Sequence, residues 1–448
     1  MTSKRIKKQI VYNYFSLLSV IIITGIIIYA TTNIKLQILA FGSLALFGAI
    51  LVRFDVLHPY CWFSGMFLLY SLSYPILYCT GNLDPWLLEK AGIPNNLIFL
   101  EWAAFSTFLL TVSPKQVPFF NKKEKNSLFT NANKLLYVIM YVVILIAIAS
   151  ISQGGFKHKR EIYAVGNPLY KISFIIIYML LVIYVYACLY YVNNLRYRNR
   201  LIIFTFILTF LITMYSGERD ILFMFLLVTI YILYLSGNLK REHFLFLIPI
   251  GIIALPLSSI YKGFFLTGRV NGGLNNQNFI KQFFNSEFRS ASANMQILLN
   301  HEEEVKSIFS YNQIIKDIKR VFVGNTDSTL GWFNDKFFSY TKTKYGFTLV
   351  GEGYVIGGIL GIIVIFLIIG IFTRCLYNMS SNNIYFKTLY ICSIPRIIYA
   401  IRADLTNIFS PILKHIILTL LIVFIVQKLF IYTSYTFSKK QLISEEIK

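Results

Sequence analysis

Acidic side chains are scarce in this chain. Its 448 residues carry 20 Asp and Glu against 42 Lys and Arg, and charged residues of all types make up only 14%. A soluble protein of this length needs far more polar surface. With 56% hydrophobic residues and a mean hydropathy of +0.62, the chain reads as an all-α polytopic membrane protein. Cysteine is scarce as well. Cys61, Cys79, Cys188, Cys375 and Cys392 lie in or beside apolar runs, with no CxxC pair and no His/Cys cluster. They read as small core residues, and neither a disulfide framework nor a zinc site is expected. There is no Walker loop, no HExxH and no Ser-His-Asp pattern. Glu302, Glu303 and Glu304, beside His301, read as a solvated helix face rather than a metal site. No repeat of fixed period stands out, and no second, soluble domain. Residues 1–448 read as a single integral membrane domain. No pair of interrupted helices in matching halves points to an alternating-access transporter.

What is present is apolar and aromatic. The 40 Phe and 31 Tyr gather near the ends of apolar runs, as an aromatic belt requires. Runs long enough to span a bilayer predict helices over 10–31, 34–52, 58–79, 95–113, 135–153, 171–192, 201–216, 220–236, 244–261, 352–373, 384–400 and 411–432, about twelve in all. The short basic N-terminus lacks a small-residue cleavage site, so a retained first helix is expected. Lys4, Arg5, Lys7 and Lys8 precede the first helix. Further basic clusters are Lys115, Lys122, Lys123 and Lys125; Arg196, Arg198 and Arg200; Lys240 and Arg241; and Lys439 and Lys440. With twelve helices they share one face, which the positive-inside rule assigns to the cytoplasm together with both termini.

The opposite, outer face then carries the turn at 216–220, a loop over 154–170, a segment over 262–351 and a turn over 401–410. The 262–351 segment, at about 90 residues, far exceeds an ordinary connector. It opens with "TGRVNGGLNNQ", a turn or coil. "NSEFRSASANMQILLNHEEEVKSIF" and "YNQIIKDIKRVF" follow with helical periodicity. This outer face is basic too. "GGFKHKREIY" holds Lys157, His158, Lys159 and Arg160, and the long segment holds Arg269, Arg289, Lys316, Lys319 and Arg320 among others. Long loops escape the positive-inside rule, but the short loop does not. A basic outer surface suits an anionic partner lying in the bilayer, either a phospholipid headgroup or a lipid-linked diphosphate, because the planar Arg fork pairs with phosphate. Nucleic acid is not expected, since this charge faces away from the cytoplasm.

Three motifs hold charge where the chain is otherwise apolar. In "LITMYSGERDILFMFL", Glu218, Arg219 and Asp220 stand between two apolar runs. They form either a solvated turn permitted by Gly217 or, where short helices draw the tip inward, an intramembrane cluster that must pair or face water. In "LVGEGYVIGGILGIIVIFLIIGIF", Glu352 opens an apolar helix. It either caps the helix dipole or accepts a proton from a sugar hydroxyl. Gly357, Gly358 and Gly361 permit close packing against a neighbouring helix. In "SIPRIIYAIRADLTNIFSP", Arg402 and Asp404 read as an internal ion pair or as site residues, and Arg396, deeper by one to two turns, needs a partner.

The charged turn "SGERDILFMFLLVTIYILYL", the long loop after the next helix and "LVGEGYVIGGILGIIVIFLIIGIF" after that loop resemble the bacterial Wzy-type O-antigen and capsule repeat-unit polymerases. The resemblance covers most of the chain as an arrangement. It implies a GT-C-like fold with metal-independent glycosyl transfer and no cofactor. A growing glycan on undecaprenyl diphosphate would pass to the non-reducing end of the next lipid-linked repeat unit, at the outer face of the bacterial cytoplasmic membrane. Beside membrane lipids, it implies a chain-length regulator as protein partner. It makes Arg219, Glu352 and Arg289 the catalytic candidates. Arg289 is preferred to Arg269 because it falls in a predicted helix. Arg160, Lys157, Lys159, Arg269, Arg402 and Arg396 would bind the diphosphate or glycan, and Glu218, Asp220 and Asp404 would support them. A flippase for the same lipid, a ligase using the same donor with another acceptor, and a membrane sensor whose charges are only ion pairs are the rival readings.

Overall fold

In a computed structural model, the described residues are 3–94, 96–116, 129–152, 168–191, 194–216, 219–243, 283–284, 288–307, 311–323, 328–339 and 346–446. Every regular element among them is helical. The first five helices are α1 (Ser3–Ala30), α2 (Ile34–Leu51), α3 (Pro59–Cys79), the short α4 (Pro85–Ala91) and α5 (Leu97–Val112). After them come α6 (Phe129–Ser152), α7 (Pro168–Tyr190), α8 (Leu195–Ser216) and α9 (Arg219–Leu235). Four short helices, α10 (Phe288–Asn300), α11 (Glu302–Ser307), α12 (Tyr311–Val323) and α13 (Thr329–Phe337), occupy the segment expected to be partly helical. The chain closes with α14 (Leu349–Met379), α15 (Ile384–Ala400), α16 (Thr406–Pro411), a π-helical stretch Ile412–Ile417 and α17 (Leu418–Glu446).

Each expected range except 244–261, which lies outside the described residues, falls on a helix. Five stretches are long and apolar enough to cross a membrane: Val11–Ala30, Ile34–Leu51, Leu195–Met214, Leu349–Met379 and Thr406–Phe430. Shorter apolar helices accompany them at Leu97–Val112, Lys134–Ile146 and Ile175–Tyr190. The chain is therefore a multi-pass membrane protein. The helix expected over 201–216 starts at Leu195 and is 22 residues long, so it is not the short one that the sequence suggests. Arg198, expected in a cytoplasmic basic cluster, is fully buried. Cys375, expected in the core, is exposed, and all five cysteines are free thiols.

The joints follow local chemistry. Asn33 caps α2 by accepting from the backbone N–H of Lys35 and Leu36. Gln37 closes the α1–α2 turn by donating to the carbonyls of Ile28 (2.9 Å) and Thr31 (2.8 Å). α5 sits at the centre, between α3 and α14, and its Phe105 and Phe108 stack with Phe63 and Phe67 of α3. Polar groups inside the bundle pair with one another. Tyr137 and Tyr141 meet Thr205 at 2.6 and 2.7 Å, and Tyr184 meets Thr229 at 2.8 Å.

α14 is not the single helix that its apolar run suggests. The chain leaves helical geometry at Gly357 and Gly358, and Gly358 has φ 59° and ψ −140°, a combination that side chains beyond glycine strongly resist. The fold-back brings Gly361 onto Gly353, so that a Cβ at 361 would lie 2.1 Å from the Gly353 carbonyl oxygen. Gly353 and Gly361 thus pack two helical halves closely together, and Gly357 and Gly358 form the break between them. The first half, ending at Ile356, is almost wholly buried and presents Glu352 to the turn between α15 and α16.

Candidate functional site

That turn, residues 401–405, carries Arg402 and Asp404 and is held from several sides. The backbone N–H of Leu349 donates to the Ile401 carbonyl (3.2 Å), and that of Leu405 donates to Glu352 Oε2 (2.7 Å). Arg320 of α12 pairs with Asp404 at 2.8 Å. Asp404 is 1% exposed, and its other oxygen accepts from the backbone (3.1 Å) and side chain (2.7 Å) of Asn407. A buried carboxylate that stays ionised needs such a set of donors.

Arg402 and Asp404 do not pair with each other, contrary to one of the two expectations. Asp404 faces Arg320, while Arg402 stacks over Tyr399 (4.7 Å) and contacts Asp220 at 3.6 Å. The two side chains leave the turn toward different elements, so they serve different partners. Asp220 lies in the first turn of α9, where the helix dipole favours a carboxylate. Arg219 opens the same helix turn, directly beside Asp220. The charged turn and the Arg402 turn, far apart in sequence, therefore meet at one end of the bundle. α9, at 17 residues, extends only about 25 Å against a hydrocarbon core of about 30 Å, so a short helix does lead into this turn.

Arg289 lies beside this group. Its helix neighbour Phe288 meets the Tyr70 ring at 5.1 Å, but the guanidinium is bound to Asp84 at 2.6 Å and lies 5.7 Å from the centre of the Trp86 ring. The pair with Asp84 ties α10 to the connection between α3 and α4. Asn300 donates to the Ala91 carbonyl (2.5 Å), and Lys90 bonds the Phe337 carbonyl, so α10 and α13 are both tied to α4. Arg396 is turned elsewhere. It stacks on Tyr178 of α7 at 4.1 Å, near His415 of the π-helical stretch.

Glu352 is completely buried, and its Oε1 has no hydrogen-bond partner among the described residues. Asp404 and Asp317 act on it electrostatically. Asp317, on α12, accepts from Thr329 Oγ1 at 2.7 Å, and its backbone carbonyl accepts from Thr406 Oγ1 at 3.2 Å. Burial first, and then repulsion from Asp404, raise its carboxyl above the ordinary Asp range against the Thr329 hydrogen bond. The sequence reading missed the pairing role of Arg320 and the involvement of Asp317. The signal available was their i, i+3 spacing in "IIKDIKRVF", which puts an acid and a base on neighbouring positions of a helix.

Glu302 and Glu304, by contrast, bind Lys306 (2.7 Å) and Lys336 (3.0 Å) on an exposed face. Among the described residues no three His, Cys, Asp or Glu side chains gather as a metal site requires. Lys157, Lys159, Arg160, Glu218 and Arg269 lie outside the described residues.

No curated protein and no solved structure matches the chain significantly. A family does match, over residues 12–433, nearly the whole length. An all-helical membrane protein with a cationic cluster at one end of its bundle fits that finding. The chain belongs to the O-antigen polysaccharide polymerase Wzy family, glycosyltransferase-type polymerases that join lipid-linked oligosaccharide repeat units.

Proposed function

We propose that the chain moves a growing glycan from undecaprenyl diphosphate to the non-reducing end of the next lipid-linked repeat unit, at the outer face of the bacterial cytoplasmic membrane. The observation that supports this most is the contact of Arg402 with Asp220, the chain neighbour of Arg219, which joins two turns distant in sequence at one helix end. Cleaving the sugar–phosphate bond places charge on the leaving diphosphate. Fixed guanidinium groups stabilise such charge most where water is excluded. Arg219 and Arg402 are assigned that task, with Asp220 orienting Arg402. Arg289, held by Asp84, lines the approach. Lys157, Lys159, Arg160 and Arg269 keep their assignment to diphosphate or glycan binding, and Arg396 adds a second cation on the α7 side.

Glu352 keeps its candidacy as the group that orients or deprotonates the acceptor hydroxyl. Its complete burial favours a positioning role, exerted through Leu405 on the turn that carries Arg402. In this reading the fold is GT-C-like, both termini are cytoplasmic, metal is not required, and a chain-length regulator is the protein partner.

The test is Arg219→Ala and Arg402→Ala in the host, with the surface glycan examined by gel and the lipid-linked precursor by mass spectrometry. Each variant should accumulate in the membrane while polymerisation falls by about 10²–10³, the cost of losing one donor to a developing anion. Exported glycan of a single repeat unit is the expected product. Full-length chains would overturn the site. Precursor trapped on the cytoplasmic side would identify a flippase.

A further inference from the structure

α12 is inside out. Its 13 residues turn Asp317 into the protein at 4% exposure, while Ile315, Ile318 and Phe322 stand 51%, 53% and 68% exposed. At 100° per residue these three form one arc of the helix. Lys319 and Lys316, both exposed, border that arc on one side. Asp317, Val321 and Arg320 occupy the remainder and face the bundle. A helix of a water-soluble segment would be arranged the other way round.

The height of the helix is fixed by two contacts. Arg320 holds Asp404 at 2.8 Å, and Thr406 Oγ1 donates to the Asp317 carbonyl at 3.2 Å. Thr406 is the first residue of the span Thr406–Phe430. α12 therefore lies where a membrane-spanning stretch begins, and at that level an outward apolar arc meets lipid. The bordering lysines match the layer just above the acyl chains, where long cationic side chains reach anionic headgroups while their stems remain in apolar surroundings.

We propose that α12 is an in-plane membrane anchor, with Ile315, Ile318 and Phe322 among the acyl chains and Lys316 and Lys319 at anionic phospholipid headgroups. Through Arg320 and Asp404 it ties the turn bearing Arg402 to a set depth in the bilayer. The anchoring stands whether or not the transfer chemistry is as proposed.

The experiment places the photoreactive amino acid p-benzoylphenylalanine at position 318 of the full chain and reconstitutes it in phosphatidylcholine vesicles, with and without phosphatidylglycerol. A second variant carries the probe at 322, in case the first does not accumulate. Irradiation should give a lipid adduct by mass spectrometry, in yield within about twofold of a probe at Leu360, a position 71% exposed on a span. Changing either Lys316→Glu or Lys319→Glu should lower the phosphatidylglycerol adduct about fivefold, from about 1 kcal/mol per Lys at an anionic surface. A product of twice the chain mass would make the arc a contact between two copies and overturn the proposal. So would an adduct to another protein, or no adduct where Leu360 gives one.

Discussion

At the scale of the residue, the site is a set of buried and half-buried charges whose partners come from distant segments. Arg320 and Asp404 illustrate the energetics. Removing one partner of a buried pair leaves an uncompensated charge and costs about 3–5 kcal/mol, whereas removing both is far milder. Arg320→Gln and Asp404→Asn should therefore each lower the apparent Tm of the purified protein sharply, and the two combined should recover much of the loss. Purely additive losses would show that the two do not act as a pair. Glu352 allows a similar separation. Gln at 352 keeps an oxygen that accepts from the Leu405 N–H, while Ala leaves that buried donor unsatisfied at about 1–3 kcal/mol. If Glu352 only positions the turn, Glu352→Gln should polymerise nearly as wild type and Glu352→Ala should lose both Tm and activity. Loss of turnover in Glu352→Gln with unchanged Tm and substrate binding would restore the base role. The types and positions of these residues were legible in the sequence, because charge within an apolar chain is conspicuous. Their pairing was not. Arg402 and Asp404 are two residues apart, and nothing in "IRADL" says that one turns to α9 and the other to α12.

At the scale of the element, hydropathy located the helices well, because twenty or so apolar residues in lipid have few alternatives to a helix. It could not locate the break in α14. Glycine is common in spanning helices, so "VIGGILG" is equally compatible with a straight helix. The break brings Gly361 onto Gly353, a contact that hydropathy does not register. The two central glycines should respond differently to a methyl group. Gly357 has an extended φ of −173° and open space at its Cβ position, so Gly357→Ala should accumulate and polymerise normally. Gly358→Ala must place a side chain at φ 59° and ψ −140°, at a cost of about 1–3 kcal/mol. It should show a lower Tm and less polymer. Equal behaviour of the two would mean that the break does not matter. The sequence reading found α12 as a helix but not its orientation, for a related reason. Its amphipathic period is plain in "YNQIIKDIKRVF", but a period does not say which face turns inward, and here the burial is reversed.

At the scale of the whole molecule, net charge and family point to a lipid-facing enzyme, and the remaining question is orientation. The site end gathers Arg219, Arg402, Arg289 and Arg320. The opposite end gathers the turn after α9, where Arg241 donates to the Arg53 carbonyl at 2.9 Å, and the α2–α3 connection. Both ends are basic, which is why Lys and Arg counts orient the chain only through the short loops. The proposed function, with the glycan outside, requires the Arg402 end to face outward. Single cysteines test this in a background where all five native cysteines, free thiols in the structure, are replaced by serine. A cysteine at Ser339, exposed beside α13, should react in intact cells with a membrane-impermeant maleimide. One at Asn238, exposed in the turn after α9, should react only after the membrane is permeabilised. The reverse pattern would put the cationic cluster on the cytoplasmic side, where the undecaprenyl-linked unit is still being built. Polymerisation would then have to precede export, and the roles given to Arg219 and Arg402 would belong to a different step.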